Sequence, residues 1–115
     1  MRLVRASYAF TVAAILGIGI SSVLYAGSSD SKPTEHFVEI TGFKFIPESL
    51  TVKTGDTITW INKDIAPHTA SADDKSFDTG ELKQNETGSI TVSNDQTITY
   101  FCKFHPSMKA KLMFD

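Results

Sequence analysis

The chain has 115 residues, with eleven Lys+Arg against thirteen Asp+Glu and a formal net charge of −2. An acidic balance argues against nucleic acid as a partner, because phosphate binding needs clustered positive charge. A single cysteine excludes an internal disulfide, and the length suits one domain around one core.

Arg2 and Arg5 precede a run from Ala6 to Ser29 that holds no charged residue and has TVAAILGIGI at its centre. A basic start, an apolar run and closing small residues read as a secretory signal over 1–26 that is cut off. An uncleaved anchor is the alternative, since a spanning helix needs about 20 mostly apolar residues. Losing that segment leaves nine Lys+Arg against thirteen Asp+Glu, a net charge near −4. Residues 27–35, GSSDSKPTE, form a polar linker, and 36–115 form the folded domain.

From His36 onward the pattern is that of strands. HFVEI alternates. ESLTVKTGDTITWIN puts Leu50 and Val52, then Ile58 and Trp60, on one face around a Gly55-Asp56 turn. SITVS and TITYFC continue the alternation. In the last run Ala110, Leu112 and Phe114 share one face and Lys109, Lys111 and Met113 the other. Such period-two runs, rich in β-branched and aromatic residues, predict half-buried antiparallel strands. No stretch after residue 30 sustains a helical stripe. The expected fold is all-β, a Greek-key sandwich whose end loops can carry chemistry.

Cys102 stands out in that setting. An odd cysteine in an exported protein means an intermolecular bond, a reactive thiol or a metal ligand. Cys102, His105 and Met108 follow the spacing Cys-x-x-His-x-x-Met between two predicted strands, which puts three donors in one tight loop. A fourth must come from elsewhere. His68 lies in NKDIAPHTA, just after the TITWIN strand, with Pro67 restraining the backbone before it. If the two loops meet, His68, Cys102 and His105 make a trigonal set with Met108 as a weak axial donor. One thiolate, two imidazoles and a thioether favour copper that passes single electrons. Zinc is the rival metal, but structural zinc sites usually recruit more cysteines.

The segments TITWINKDIAPHT, FDTGEL and TYFCKFHPSM give the chain from about Glu35 to Asp115 a resemblance to the cupredoxins, the small blue copper proteins. Within them it looks most like the amicyanin and plastocyanin group. The resemblance implies His68, Cys102, His105 and Met108 as ligands of one copper ion cycling between Cu(I) and Cu(II). It also implies an electron carrier, not an enzyme, working in the periplasm or tethered outside the cytoplasm. Three positions depart from the family pattern. Thr69 stands where the family often has an asparagine bridging the two ligand loops, and is expected to bridge less well. Phe104 replaces a proline common before the second histidine, and Ala110 replaces a glycine.

In the resembling proteins the second histidine reaches the surface through an apolar patch, which Phe104, Pro106 and Pro67 would supply here. Redox proteins of the dehydrogenase or c-type cytochrome class would dock there briefly, with Lys103, Lys109 and Lys111 as a positive fringe. The carrier is read as a monomer that meets a membrane only if its N-terminal segment is retained. A copper carrier or buffering module with the same ligands is the competing function. A cysteine hydrolase built on Cys102 and His105 lacks an orienting third group, and a catalytic copper centre lacks histidines beyond His36. His36, Trp60 and Tyr100 are read as ordinary structural residues.

Overall fold

A computed structural model of the chain describes residues 32–115. The predicted signal over 1–26 and most of the 27–35 linker lie outside the described residues. Alternation across Glu35–Thr41 buries Val38 and Ile40 and turns Glu35, Phe37 and Glu39 outward, which makes this segment the first strand, β1. It is followed by β2 (Lys44–Ile46), β3 (Ser49–Val52), β4 (Thr57–Asn62), β5 (Ser71–Ala72), β6 (Thr87–Thr91), β7 (Ile98–Cys102) and β8 (His105–Phe114). The short β2 and β5 are absent from the sequence reading, being too brief to show a period.

The strands form two four-stranded sheets, ordered β2-β1-β4-β6 and β3-β8-β7-β5. Their inner faces bury one core, in which Val38, Ile40 and Trp60 of the first sheet share a cluster with Tyr100, Cys102, Ala110 and Leu112 of the second. The outcome is the expected β-sandwich. Its pairing corrects the expectation of antiparallel strands throughout, because β1 runs parallel to β4 and β3 parallel to β8. Alternation reports which face of a strand is buried; it carries nothing about the direction of the neighbour. Here the chain leaves β2, crosses to the second sheet as β3, and returns as β4 on the free side of β1 in the same direction.

The parallel register sets the two ends of the sandwich. Glu35 pairs with Thr57 where β1 and β4 begin, and Ile40 pairs with Asn62 where they finish. At the starting end, buried Asp56 accepts from Thr34 N, Lys53 N and His36 Nε2, each at 2.9 Å. The Thr34 amide foremost, then His36, hold its carboxyl at about 2 despite burial. A carboxyl depressed in the folded chain and ordinary in the unfolded one stabilises above pH ~4, and that stabilisation is lost as pH falls toward 2. Asp56→Asn should therefore cost about 1–3 kcal/mol at pH 7. Urea titrations of both proteins from pH 7 to pH 2.5 should converge at the acid end; a constant gap would contradict this account.

Candidate metal centre

The other end of the sandwich carries His68 and His105. Asn62, the last residue of β4, is fully buried, and its side chain governs the loop that follows. Asn62 Nδ2 donates to Ala66 O and Leu82 O, both at 2.8 Å, while Asn62 Oδ1 accepts from Asp64 N at 2.9 Å. This pins the loop into a fixed path to His68, whose own N–H and C=O pair with Leu82 at 3.1 and 2.8 Å. A buried amide with its bonds satisfied is a strong conformational constraint.

His68 is itself fully buried, and its ring is oriented by a carboxylate. Asp64 Oδ2 lies 2.9 Å from His68 Nε2. Burial alone would push the Asp64 carboxyl up, but the Phe43 and Gly42 amides together with His68 hold it below the usual carboxylate range. An ionised carboxylate only accepts, so Nε2–H donates, and in the neutral ring Nδ1 is left with its lone pair free. That nitrogen faces Cys102 Sγ at 3.6 Å.

The second segment is the β7–β8 hairpin. Cys102 pairs directly with His105 across a two-residue turn of Lys103 and Phe104. One step back along β7 brings Phe101 opposite Lys109, so Pro106, Ser107 and Met108 bulge out of register. A bulge of this kind re-aims side chains. Met108 lies in the same buried cluster as Cys102, while Pro106 and Ser107 face solvent. His105, half-buried, turns Nδ1 toward Cys102 Sγ at 3.7 Å.

His68, Cys102 and His105 thus present three donor atoms within 4.8 Å of one another. Metal bonds of about 2.3 Å to sulfur and about 2.0 Å to nitrogen would separate the two donors by about 3.7 Å at a trigonal angle. Both observed sulfur–nitrogen separations, 3.6 and 3.7 Å, meet that spacing. The two sulfur–nitrogen separations therefore fit an ion shared by Cys102 and each histidine, and Met108 is buried in the same core cluster as Cys102. Of the four predicted site residues, three converge in one cluster and the fourth, Met108, is buried in the core cluster that also holds Cys102.

Thr69 corrects the expectation of a weak bridge. Its hydroxyl accepts from Lys103 N at 2.9 Å, and its own N–H points at Cys102 Sγ at 3.4 Å, so it ties the two ligand segments together twice. Of the expected positive fringe, Lys103 is exposed but has its ammonium paired with Asp78 at 2.5 Å, and Lys109 is exposed beside Phe101. Lys111 lies farther off, paired across from Thr99 well along β8.

Sequence reasoning missed Phe43 and Asp64. Gly42 and Phe43 form the two-residue turn between β1 and β2, both at positive φ, 61° and 59°. That conformation is strained for a side chain as large as phenylalanine. Asp64 holds it by accepting from Gly42 N at 2.8 Å and Phe43 N at 2.9 Å. The Phe43 ring then stands edge-on to His68 and to His105, with centroids 5.0 and 4.8 Å away. The bulky residue at a glycine-like position and the Asn-x-Asp spacing of an Asx turn are the only signals the sequence offers.

Two packed sheets with this donor set at one end have the form of a cupredoxin. Residues 34–115 match the family of copper binding proteins described as plastocyanin/azurin, and the chain belongs to that family. Among curated relatives, it is 29% identical over 112 residues to amicyanin-alpha of Methylorubrum extorquens, covering 93% of this chain and 91% of that one. It is 30% identical over 83 residues to the amicyanin of Paracoccus denitrificans, covering 68% of this chain and 63% of that protein's length. Among solved structures, an amicyanin variant with Cu(I) aligns at a TM-score of 0.63 and 30% identity, covering 69% of this chain and 80% of that one. A purple cupredoxin from Nitrosopumilus maritimus shares the fold at a TM-score of 0.64 and 20% identity, over 69% and 98%.

Proposed function

We propose that the protein carries single electrons through one type 1 copper ion held by His68, Cys102, His105 and Met108, outside the cytoplasm. The observation that carries this reading is the trigonal spacing of Cys102 Sγ to the two Nδ1 atoms, 3.6 and 3.7 Å. Copper would supply the one-electron couple, and its ligand set favours a geometry suited to both oxidation states. The chain's part is rigidity. Asp64 fixes the His68 ring, Thr69 fixes the sulfur, and the satisfied Asn62 fixes the loop that bears His68. A frame held this firmly lets little move when the charge of the site changes, and transfer is then fast.

The exit for the electron is the face around His105. Phe43 and Phe104 are each about half exposed, Ile65 is 85% exposed, and Pro67 and Pro106 complete an apolar rim. A rim of this size suits brief docking of a redox protein of the dehydrogenase or c-type cytochrome class. The basic start and apolar run before residue 30 support export to the periplasm, cleaved or tethered. Residues 36–115 would be the working domain.

Titration with Cu(II) tests the reading. One equivalent should give an intense visible absorption and reversible one-electron electrochemistry; colourless binding with rapid exchange of copper would instead mark a carrier. Met108→Leu should retain the copper and raise the potential, because removing a soft axial donor disfavours Cu(II) more than Cu(I). Voltammetry of the two proteins checks it, and an unchanged or lowered potential would remove Met108 from the ligand set.

A further inference from the structure

Four residues around the candidate ligands close a hydrogen-bonded ring between the two segments that bear them. Lys103 N donates to Thr69 Oγ1 at 2.9 Å, Thr69 Oγ1 lies 2.9 Å from Ser71 Oγ, and Ser71 Oγ donates to Asp78 Oδ1 at 3.0 Å. Asp78 Oδ2 lies 2.5 Å from Lys103 Nζ, returning the ring to the residue where it began.

Chemistry sets the direction of each proton. Asp78 is ionised: burial pushes its carboxyl up, but the Lys103 ammonium, the Gly80 amide and Ser71 together bring it below its ordinary value. A carboxylate only accepts, so the one Ser71 hydroxyl proton is committed to Asp78. The Thr69 hydroxyl must then donate to Ser71, which leaves its oxygen to accept from Lys103 N–H. Every donor points the same way and the series ends on a negative charge, so each bond polarises the next. Thr69 and Ser71 are only 3% and 2% exposed, so their hydroxyls have little water to replace a lost partner.

We propose that Asp78 is a positioning residue for Cys102. By ending the series it orients the Thr69 hydroxyl, and Thr69 fixes both the amide that follows Cys102 and the amide that faces its sulfur at 3.4 Å. Lys103 is held by its main chain at one end of the ring and by its ammonium at the other, which tethers the turn beside the Cys102 sulfur at two points. The main chain of Asp78 is placed independently, because it bridges Ser71 in a β-bridge and Thr79 N donates to Ala70 O at 3.0 Å. Removing the Asp78 carboxylate therefore deletes the end of the series together with the bond it accepts from Gly80 N at 2.9 Å, while these two main-chain contacts to Ser71 and Ala70 remain.

The inference rests on the copper reading of Cys102 for its meaning, but its test does not. Amide exchange would be followed by NMR in the full chain, with and without Cu(I), alongside the potential and visible band of the copper form. Asp78→Ala should speed exchange of the Lys103 amide about fivefold, the value of one hydrogen bond, and shift both the band and the potential. Thr69→Val should do the same, Thr69→Ser should restore the original values, and Asp78→Ala with Thr69→Val should exceed neither single variant. Unchanged Lys103 exchange in Asp78→Ala, or additive effects in the double variant, would overturn the proposal. Should Asp78→Ala fail to fold, Asp78→Asn serves: it keeps an acceptor for Ser71 and loses the charge, so intermediate exchange supports the proposal and wild-type exchange overturns it. A colourless parent protein with the exchange pattern intact would sink the copper reading alone.

Discussion

Replacing Cys102 by serine should abolish the intense visible absorption of the Cu(II) protein and weaken copper binding by more than the roughly 10- to 100-fold typical of losing a supporting partner. Serine is close in size to cysteine, so the buried position between Phe101 and Lys103 should tolerate it sterically. Its hydroxyl does not ionise under these conditions, and its oxygen is a hard donor where Cu(I) prefers soft sulfur. The two imidazoles would remain, with His68 still oriented by Asp64 at 2.9 Å, so some copper should still bind. Colour and affinity therefore separate the roles: the sulfur supplies the colour, and the histidines supply residual binding. Absorption spectra and competition with a copper chelator measure both, and a Cys102→Ser protein that stays blue would remove the cysteine from the site.

The largest effect on stability should come from Trp60→Ala. Trp60 is fully buried on the inner face of β4, stacks on Phe77 at 5.5 Å and meets the Tyr100 ring edge-on at 5.5 Å. Its Nε1–H donates to Tyr100 Oη at 3.2 Å, a bond between the two sheets. Burial pushes the Tyr100 phenol up to about 12, with the Trp60 donor working against that rise. Truncation to alanine opens a cavity and strips the buried phenol of a partner, a combined loss of about 3–5 kcal/mol or more. A small domain has only about 5–15 kcal/mol in all, so this variant should sit close to unfolding at room temperature. Trp60→Phe, which keeps most of the volume and loses the hydrogen bond, should cost about 1–2 kcal/mol. Denaturant titrations followed by circular dichroism give both values, and equal midpoints for Trp60→Ala and the parent would refute the account.

What the sequence made legible and what it hid follow from the range of each interaction. The closeness of Cys102 and His105 was visible because a two-residue turn pairs them directly, a local event that spacing records. His68 could be named because few histidines exist in the chain and a proline precedes it. The inner face of each long strand was visible because alternation is local too: Val38, Ile58, Trp60, Ala110 and Leu112 all turned inward. Pairing direction was hidden, since the parallel contact of β1 with β4 depends on where the chain goes between them. Phe43, Asp64, Ser71 and Asp78 were hidden for the same reason. Asp64 reaches back to a turn 21 and 22 residues earlier, and nothing near it in the chain announces that reach. The modest expectation for Thr69 failed because its weight comes from Ser71 and Asp78, neighbours only in space.

The placement of the donors bears on how the whole sandwich holds together. His68 follows β4 of one sheet, while Cys102, His105 and Met108 belong to the β7–β8 hairpin of the other. An ion held by both would cross-link two sheets that, among the described residues, share no main-chain hydrogen-bond ladder, closing a loop of more than thirty residues. Whatever binds the folded chain and not the unfolded one adds to stability by mass action, about 4 kcal/mol at a thousandfold excess over Kd. On the copper reading, the melting temperature of this protein would then be a reading of how much metal its surroundings supply.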